Sequence, residues 1–281
     1  MNPIITTGKF QPKFTENETL CDRQIPPVIA ETRQKEIKNM NYAISDIHGQ
    51  YKKYMAMLEK ISFSDDDHLY IIGDAIDRGP DGGKVLLDIM DRKNVTLLMG
   101  NHESMMLYSG QNRGMLDTWT LNGGVVTARQ LSELGYNLGD FTAFLESLPV
   151  VIPNLEVNGK KFCLVHACPP VRNIRKTMYE DDLTPGELYD CVWSRRLAMR
   201  QEGMKTIDLM AAYADTTILM GHTPVTDCGY GLSDADGLPL ISPNAGGRVL
   251  NLDCGCSKIS VDPEGIRLGC LRLEDMEEFY V

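Results

Sequence analysis

Apolar residues in this chain first settle into short regular runs near residue 41. Asn41-Tyr42-Ala43-Ile44-Ser45 has the length of a buried strand and runs into the polar turn Asp46-Ile47-His48-Gly49. Residues 51–61 then place Met55, Leu58 and Ile61 on one helical face. His68-Leu69-Tyr70-Ile71-Ile72 predicts a second strand ending in Gly73-Asp74, and Val85, Leu86, Ile89 and Met90 mark a second amphipathic helix. Val95-Thr96-Leu97-Leu98 predicts a third strand, which ends in Gly100-Asn101-His102-Glu103. This β-α-β-α-β order predicts a parallel sheet with right-handed crossovers. Helices are expected through much of 115–147. Strands resume near 150–157, 161–166, 216–220, 248–252, 256–261 and 266–273. Residues 167–215 carry the weakest pattern and are expected to shape a substrate groove.

Residues 1–40 read differently. Pro3, Pro12, Pro26 and Pro27, mixed charges and no sustained apolar period predict a loose or peripheral leader, with a docking segment as the alternative. The domain proper is expected over 41–281.

Composition narrows the field. A net charge of -11 argues against a broad nucleic-acid footprint, although bound cations can reverse the field locally for an anionic substrate. No stretch reaches the roughly 18 apolar residues of a membrane span, so no membrane partner is expected. The eight cysteines are scattered, several of them in apolar runs such as Phe162-Cys163-Leu164-Val165. That pattern predicts small buried thiols and a reducing, cytoplasmic setting. Cys254-Gly255-Cys256 supplies too few thiolates for a closed metal site and is read as buried strand.

The polar clusters recur at one structural position, the turn after an apolar strand. In an open parallel sheet those ends share one edge, where ligands collect. Asp46 and His48, Asp74 and Asp77-Arg78-Gly79, Asn101 and His102, Val165-His166, and Gly221-His222-Thr223-Pro224 all stand there. Four of the chain's five histidines therefore sit at strand exits. Asp, Asn and His form a mixed oxygen and nitrogen donor set, better suited to manganese, iron or zinc than to calcium. A carboxylate shared by two cations would hold them roughly 3.5–4 Å apart. Asp77-Arg78-Gly79-Pro80 alone would be plain turn chemistry, but three matching clusters outweigh that reading. His68 reads as structural, Asp65-Asp66-Asp67 as a solvated loop, and Met55, Met90 and Met220 as core. Glu103 is expected to support the metal edge from behind.

The runs Asp46-x-His48, Gly73-Asp74-x-x-Asp77-Arg78-Gly79 and Gly100-Asn101-His102-Glu103 together resemble the signature of the calcineurin-like metallophosphoesterases. The resemblance is to their phosphoprotein-phosphatase branch, and in style to its compact bacterial and phage serine/threonine phosphatases. His166, Gly221-His222-Thr223-Pro224, Val192-Trp193-Ser194-Arg195 and the loop Trp119-Thr120-Leu121-Asn122-Gly123-Gly124 fit the same pattern, which covers about residues 41–273. The resemblance implies an α/β fold, a layered α/β/β/α sandwich of two mixed sheets flanked by helices. It implies two divalent metal ions, manganese first, with iron or zinc as alternatives. Asp46, His48 and Asp74 would hold one ion, and Asp74, Asn101, His166 and His222 the other. Arg78 and Arg195 would bind substrate phosphate, His102 would act as general acid, and Asp77 would orient it.

Two departures bear on substrate. Met99 stands where many members place an arginine, and Ser242-Pro243-Asn244-Ala245-Gly246 is a poor copy of the tyrosine-bearing loop of the eukaryotic phosphatases. Choosing Arg195 over Arg196 rests on spacing from Trp193. The implied activity is hydrolysis of phosphate monoesters on serine, threonine or tyrosine of proteins or peptides. The alternative is a dinucleoside polyphosphate hydrolase of the diadenosine tetraphosphate type, and a third reading is a silent scaffold of the same fold.

Overall fold

Period-two alternation along each strand sorts its side chains between two cores, and that sorting builds the layers. The computed structural model describes residues 39–172, 174–199, 204–258 and 265–281. Strands β1 (Asn41–Ile44), β2 (His68–Ile71) and β3 (Val95–Leu97) run parallel, with Tyr42 opposite Leu69 and Tyr70 opposite Thr96. Five strands follow in a second sheet: β4 (Val151–Val157), β5 (Lys160–Val165), β6 (Thr217–Met220), β9 (Ser242–Asn244) and β10 (Val249–Asn251). Their order is β4-β5-β6-β10-β9, with parallel pairs β5–β6 and β6–β10 at the centre. Between β6 and β9 lies a short hairpin of β7 (Leu232–Ser233) and β8 (Pro239–Leu240). The last strands, β11 (Gly269–Arg272) and β12 (Glu278–Tyr280), return to the free edge of β1 as antiparallel additions, giving the order β12-β11-β1-β2-β3. Both sheets are therefore mixed, as the family resemblance implied.

Ala43 and Leu271 of the first sheet share one core with Phe162, Leu164 and Leu219 of the second. Those residues glue sheet to sheet. Their neighbours in sequence, Tyr42, Ile44, Cys163, Val165, Ile218 and Met220, belong to the other core, which the helices cover. On the first sheet that cover includes Tyr54, Met57 and Leu58 of α1 (Tyr51–Lys60) and Val85, Leu86 and Ile89 of α2 (Gly82–Asp91). Helices α4 (Arg113–Leu121), α5 (Gly124–Glu133) and α6 (Thr142–Glu146) fill the stretch expected to be helical, and α3 (Asn101–Ser109) precedes it without having been expected. α7 (Pro185–Trp193) and α8 (Met204–Ala212) complete the set among the described residues. Each large aliphatic side chain fully buried this way stabilises the fold by roughly 1.5–3 kcal/mol.

Four expectations change. The strand expected from 256 does not begin there, because Cys256–Lys258 is a 3-10 turn. The cause lies upstream: Gly255 takes a left-handed φ of 92°, and its N–H is caught by the Asp253 carboxylate at 3.0 Å. Cys254 and Cys256 are buried, but neither is strand. Met90 is 40% exposed rather than core, because Leu86 and Ile89 already fill the buried face of α2. The terminal strand β12 was not anticipated, since Glu278-Phe279-Tyr280 is too short and too polar to signal a strand, and it forms by folding back on the preceding β11. The expected leader over 1–40 falls, but for Asn39 and Met40, outside the described residues, as does the end of the run at 256–261.

Candidate metal centre

Five loops meet at one rim because each leaves the carboxyl end of a central strand. After β1, the Asp46 N–H bonds the Gly73 carbonyl at 3.1 Å, and the His48 N–H bonds the Asp74 carbonyl at 2.9 Å. After β5 and β6, the Gly221 N–H bonds the His166 carbonyl at 2.9 Å. Glu103, fully buried at the start of α3, accepts N–H bonds from Asp74 at 2.8 Å, Ala75 at 2.9 Å and Gly100 at 3.1 Å. It ties the second and third clusters together through their backbones, which is the supporting role expected of it.

The turns are strained. Asp46, His48, Asp74, Asp77, Arg78 and His222 all have φ between 45° and 70°, the left-handed region that side-chain-bearing residues rarely occupy. Each such residue costs on the order of 1–3 kcal/mol, and clusters of them mark sites where surrounding structure dictates side-chain direction. Space is equally constrained. At Gly221 a Cβ would lie 1.9 Å from Ser45 Oγ and 2.0 Å from Asp46 Oδ2, so only glycine lets these two loops touch.

The donors converge on Asp74. One group within mutual reach comprises His48, Asp74 and His102; a second comprises Asp74, His166 and His222. Asp74 Oδ2 lies 3.6 Å from His48 Nε2, and Asp74 Oδ1 lies 3.4 Å from His166 Nε2. Asn101 Oδ1 stands between His166 Nε2 at 3.1 Å and His222 Nδ1 at 2.9 Å. Backbone carbonyls orient the imidazoles: Ile76 for His48 Nδ1 at 3.2 Å, Ile72 for His166 Nδ1 at 2.8 Å, and Trp193 for His222 Nε2 at 3.0 Å. Asp46 sits at the edge of this set, 3.9 Å from His48 Nε2, with both oxygens accepting the His222 N–H and Oδ2 also accepting the Ser45 hydroxyl.

His102 is fully buried. Its Nδ1 meets Asp77 Oδ2 at 2.7 Å, while its Nε2 has no hydrogen-bond partner and lies 3.9 Å from Asp74 Oδ2. Arg78 and Arg195 are exposed, and neither forms an ion pair among the described residues. Arg195 Nη1 donates to Thr223 Oγ1 at 3.4 Å beside His222, whereas Arg196 is engaged by Asp190 at 3.1 Å.

Burial and mutual charge set the protonation preferences of the cluster. Burial, opposed by His166 and reinforced by Asp74, pushes the Asp46 carboxyl up to about 7. Burial would raise Asp74 too, but His166 and His102 overcome it and hold that carboxyl well below the usual range. Burial pulls His48 well below its ordinary value and His222 down to about 3, so both favour the neutral, ligating form. For His166, burial is outweighed by Asp74, and the ring rises to about 10. His102 is raised as well, because Asp74 and Asp77 outweigh its burial. Buried carboxylates crowded by their own repulsion, the neutral imidazoles of His48 and His222 and a shared aspartate suit divalent cations, which would have to displace the proton of His166 on binding, and no thiolate is among the donors.

Inspection of the sequence named Trp119 only as part of a matching loop, without a role, and passed over Asp253. Trp119 Nε1 donates to Asp77 Oδ2 at 2.6 Å, linking α4 to the His102 partner. Asp253, 1% exposed after β10, brings a further carboxylate within electrostatic reach of Asp46 and Asp74. Its signal was available, since Leu250-Asn251-Leu252-Asp253 is another apolar strand ending in a carboxylate before glycine.

Comparison with known proteins agrees with this geometry. Serine/threonine-protein phosphatase 1 of Salmonella typhimurium is 26% identical over 194 residues, 68% of this chain and 82% of that protein. The symmetrical bis(5'-nucleosyl)-tetraphosphatase of Buchnera aphidicola (subspecies Schizaphis graminum) is 44% identical over 73 residues, 25% of this chain but only 27% of that relative's length. Among solved structures, a protein serine/threonine phosphatase from Saccharomyces cerevisiae shares the fold with a TM-score of 0.55 at 16% identity, covering 88% of this chain and 80% of that one. A cold-active protein tyrosine phosphatase gives 0.51 at 18% identity, covering 86% and 78%. The family model for calcineurin-like phosphoesterases matches residues 42–245, from the first strand through the loops that carry every donor described above. This chain belongs to the calcineurin-like phosphoesterase family.

Proposed function

We propose that the protein hydrolyses phosphate monoesters on serine, threonine or tyrosine side chains of proteins or peptides. The observation that carries this reading is the buried Asp77–His102 pair, whose free Nε2 faces the shared carboxylate of Asp74. Asp46, His48 and Asp74 would hold one divalent cation, and Asp74, Asn101, His166 and His222 the other, with manganese the proposed ion. Bound there, the two cations supply Lewis-acid polarisation of the phosphoryl group and acidification of a water.

The remaining roles belong to the chain. Arg78 and Arg195 grip phosphoryl oxygens, for which a guanidinium fork is geometrically apt. His102 delivers a proton from Nε2 to the departing alkoxide or phenoxide oxygen. Asp77 holds the opposite nitrogen, so the ring keeps its direction and its charge. Similarity over most of the Salmonella phosphatase supports a phosphoprotein substrate. The cysteines among the described residues are buried and none is in a disulfide, which supports a reducing compartment such as the cytoplasm.

A second reading, hydrolysis of a dinucleoside polyphosphate, is favoured by the higher local identity to the Buchnera enzyme around the first loops. Purified protein with manganese is to be given a phosphothreonine peptide and, separately, diadenosine tetraphosphate. Faster release of inorganic phosphate from the peptide is expected, and preferential formation of ADP would replace this proposal by the second reading. No turnover of either substrate, nor of para-nitrophenyl phosphate, would leave a silent scaffold.

A further inference from the structure

Asp253 is the residue of this centre that the proposed mechanism leaves unused. It follows β10, the strand paired in parallel with the β6 that carries His222 at its exit. Its main chain is fully engaged: the N–H donates to Asn251 Oδ1 at 3.1 Å, and the carbonyl accepts the Val225 N–H at 2.9 Å. Oδ1 accepts the Gly255 N–H at 3.0 Å. The same β10 exit clamps the His222 turn, because Asn251 Nδ2 donates to the Thr223 carbonyl at 2.8 Å. The His222 N–H in turn bonds both oxygens of Asp46. With the backbone pinned on every side, the Asp253 carboxylate has little freedom to turn away.

Its Oδ2 nevertheless has no partner, although the residue is 1% exposed. Burial holds its carboxyl well above the usual carboxylate range; Asp46 and Asp74 add to that rise, and the Gly255 N–H and His166 oppose it. An oxygen held rigidly in the interior, facing like charge and lacking a donor, is costly to the fold unless something positive arrives. Building it into the exit of a central strand makes sense only if that arrival is part of the working protein.

We propose that Asp253 is a positioning residue of the metal centre: its free oxygen, fixed at the β10 exit beside the β6 exit that carries His222, strengthens retention of the divalent cation held by Asp46, His48 and Asp74. This inference rests on the metal-centre reading above. It assigns Asp253 no contact with substrate.

The test uses the full chain and Asp253→Asn, with manganese alone as the ligand. Binding is read by calorimetric titration, and thermal unfolding is followed in chelator and in manganese. Asparagine has nearly the same shape and keeps the Gly255 bond through its oxygen, so it removes the charge without opening a cavity. Manganese affinity at one site should fall about 10–100-fold, the usual effect of removing an outer partner of a metal ligand. The midpoint in chelator should stay level or rise, and the gain on adding manganese should shrink. Affinity within twofold of wild type at both sites would overturn the proposal. So would a variant that unfolds more easily, or does not fold, without metal, because that result makes Asp253 a support of the fold alone. Wild-type protein that binds no manganese would instead remove the metal-centre reading itself.

Discussion

His102 draws its chemistry from three neighbours rather than one. Asp77 Oδ2 holds its Nδ1, Trp119 Nε1 holds the same oxygen from the other side, and Asp74 faces its Nε2. Because a positioned general acid contributes about 10²–10⁴-fold, His102→Asn should lower kcat by that factor while calorimetry still shows two manganese ions. A matching loss of manganese would make His102 a ligand instead. Trp119→Phe keeps the ring packing but leaves Asp77 short of one donor. Hydrogen bonds to charged groups are worth about 1.5–3 kcal/mol, and 1 kcal/mol moves the melting point of a domain this size by about 2–4 °C. A lower Tm and a kcat loss larger than any change in KM are expected. Wild-type values for both would mean that Trp119 only fills space.

Strands and their exits set the directions of these side chains. The parallel pairs β1–β2, β2–β3, β5–β6 and β6–β10 all deliver their carboxyl ends to one rim, and the left-handed turns after them aim Asp46, His48, Asp74 and His222 inward. Glycine at 221 lets the β1 and β6 exits meet. Gly221→Ala would force the methyl group against Ser45 and Asp46, and overpacking of this kind costs typically about 1–3 kcal/mol. Each 1 kcal/mol lowers Tm by about 2–4 °C, and displacement of Asp46 should lower turnover as well, with the far-ultraviolet circular dichroism unchanged. Gly186→Ala is the control, because a Cβ there meets nothing within 4 Å. Equal activity of the two variants would refute the close-approach argument.

Across the protein, two cores divide the labour: one joins sheet to sheet, the other seats helices on sheets. Seven cysteines lie inside these cores as free thiols. Burial pushes Cys163, Cys191, Cys256 and Cys270 up, followed by smaller effects of their neighbours, so the reactive thiolate is scarce at neutral and mildly alkaline pH. Ellman's reagent at pH 8 should therefore react quickly with at most one of the eight cysteines, Cys21, which lies outside the described residues, and with all eight after denaturation. Several fast thiols in the folded protein would contradict this packing. Among the described residues no helix is long and apolar enough to cross a membrane.

Much of this organisation was legible along the chain because its causes are local. A strand announces itself by apolar residues, its exit by glycine and polar groups, and the recurrence of Asp, His and Asn at those exits already marks a shared rim. The same locality explains the failures. Met90 fits a helical stripe, yet whether a stripe position meets a sheet or water depends on how wide the neighbouring layer is. β12 has no strong pattern of its own and exists because β11 offers it an edge. Trp119 meets Asp77 across two helices and a strand, and Asp253 comes near Asp46 across most of the chain, and no spacing rule encodes such an encounter. Donor types and strand order follow from neighbouring residues. Which oxygen faces which nitrogen is decided only when two sheets stack and five loops are pressed together.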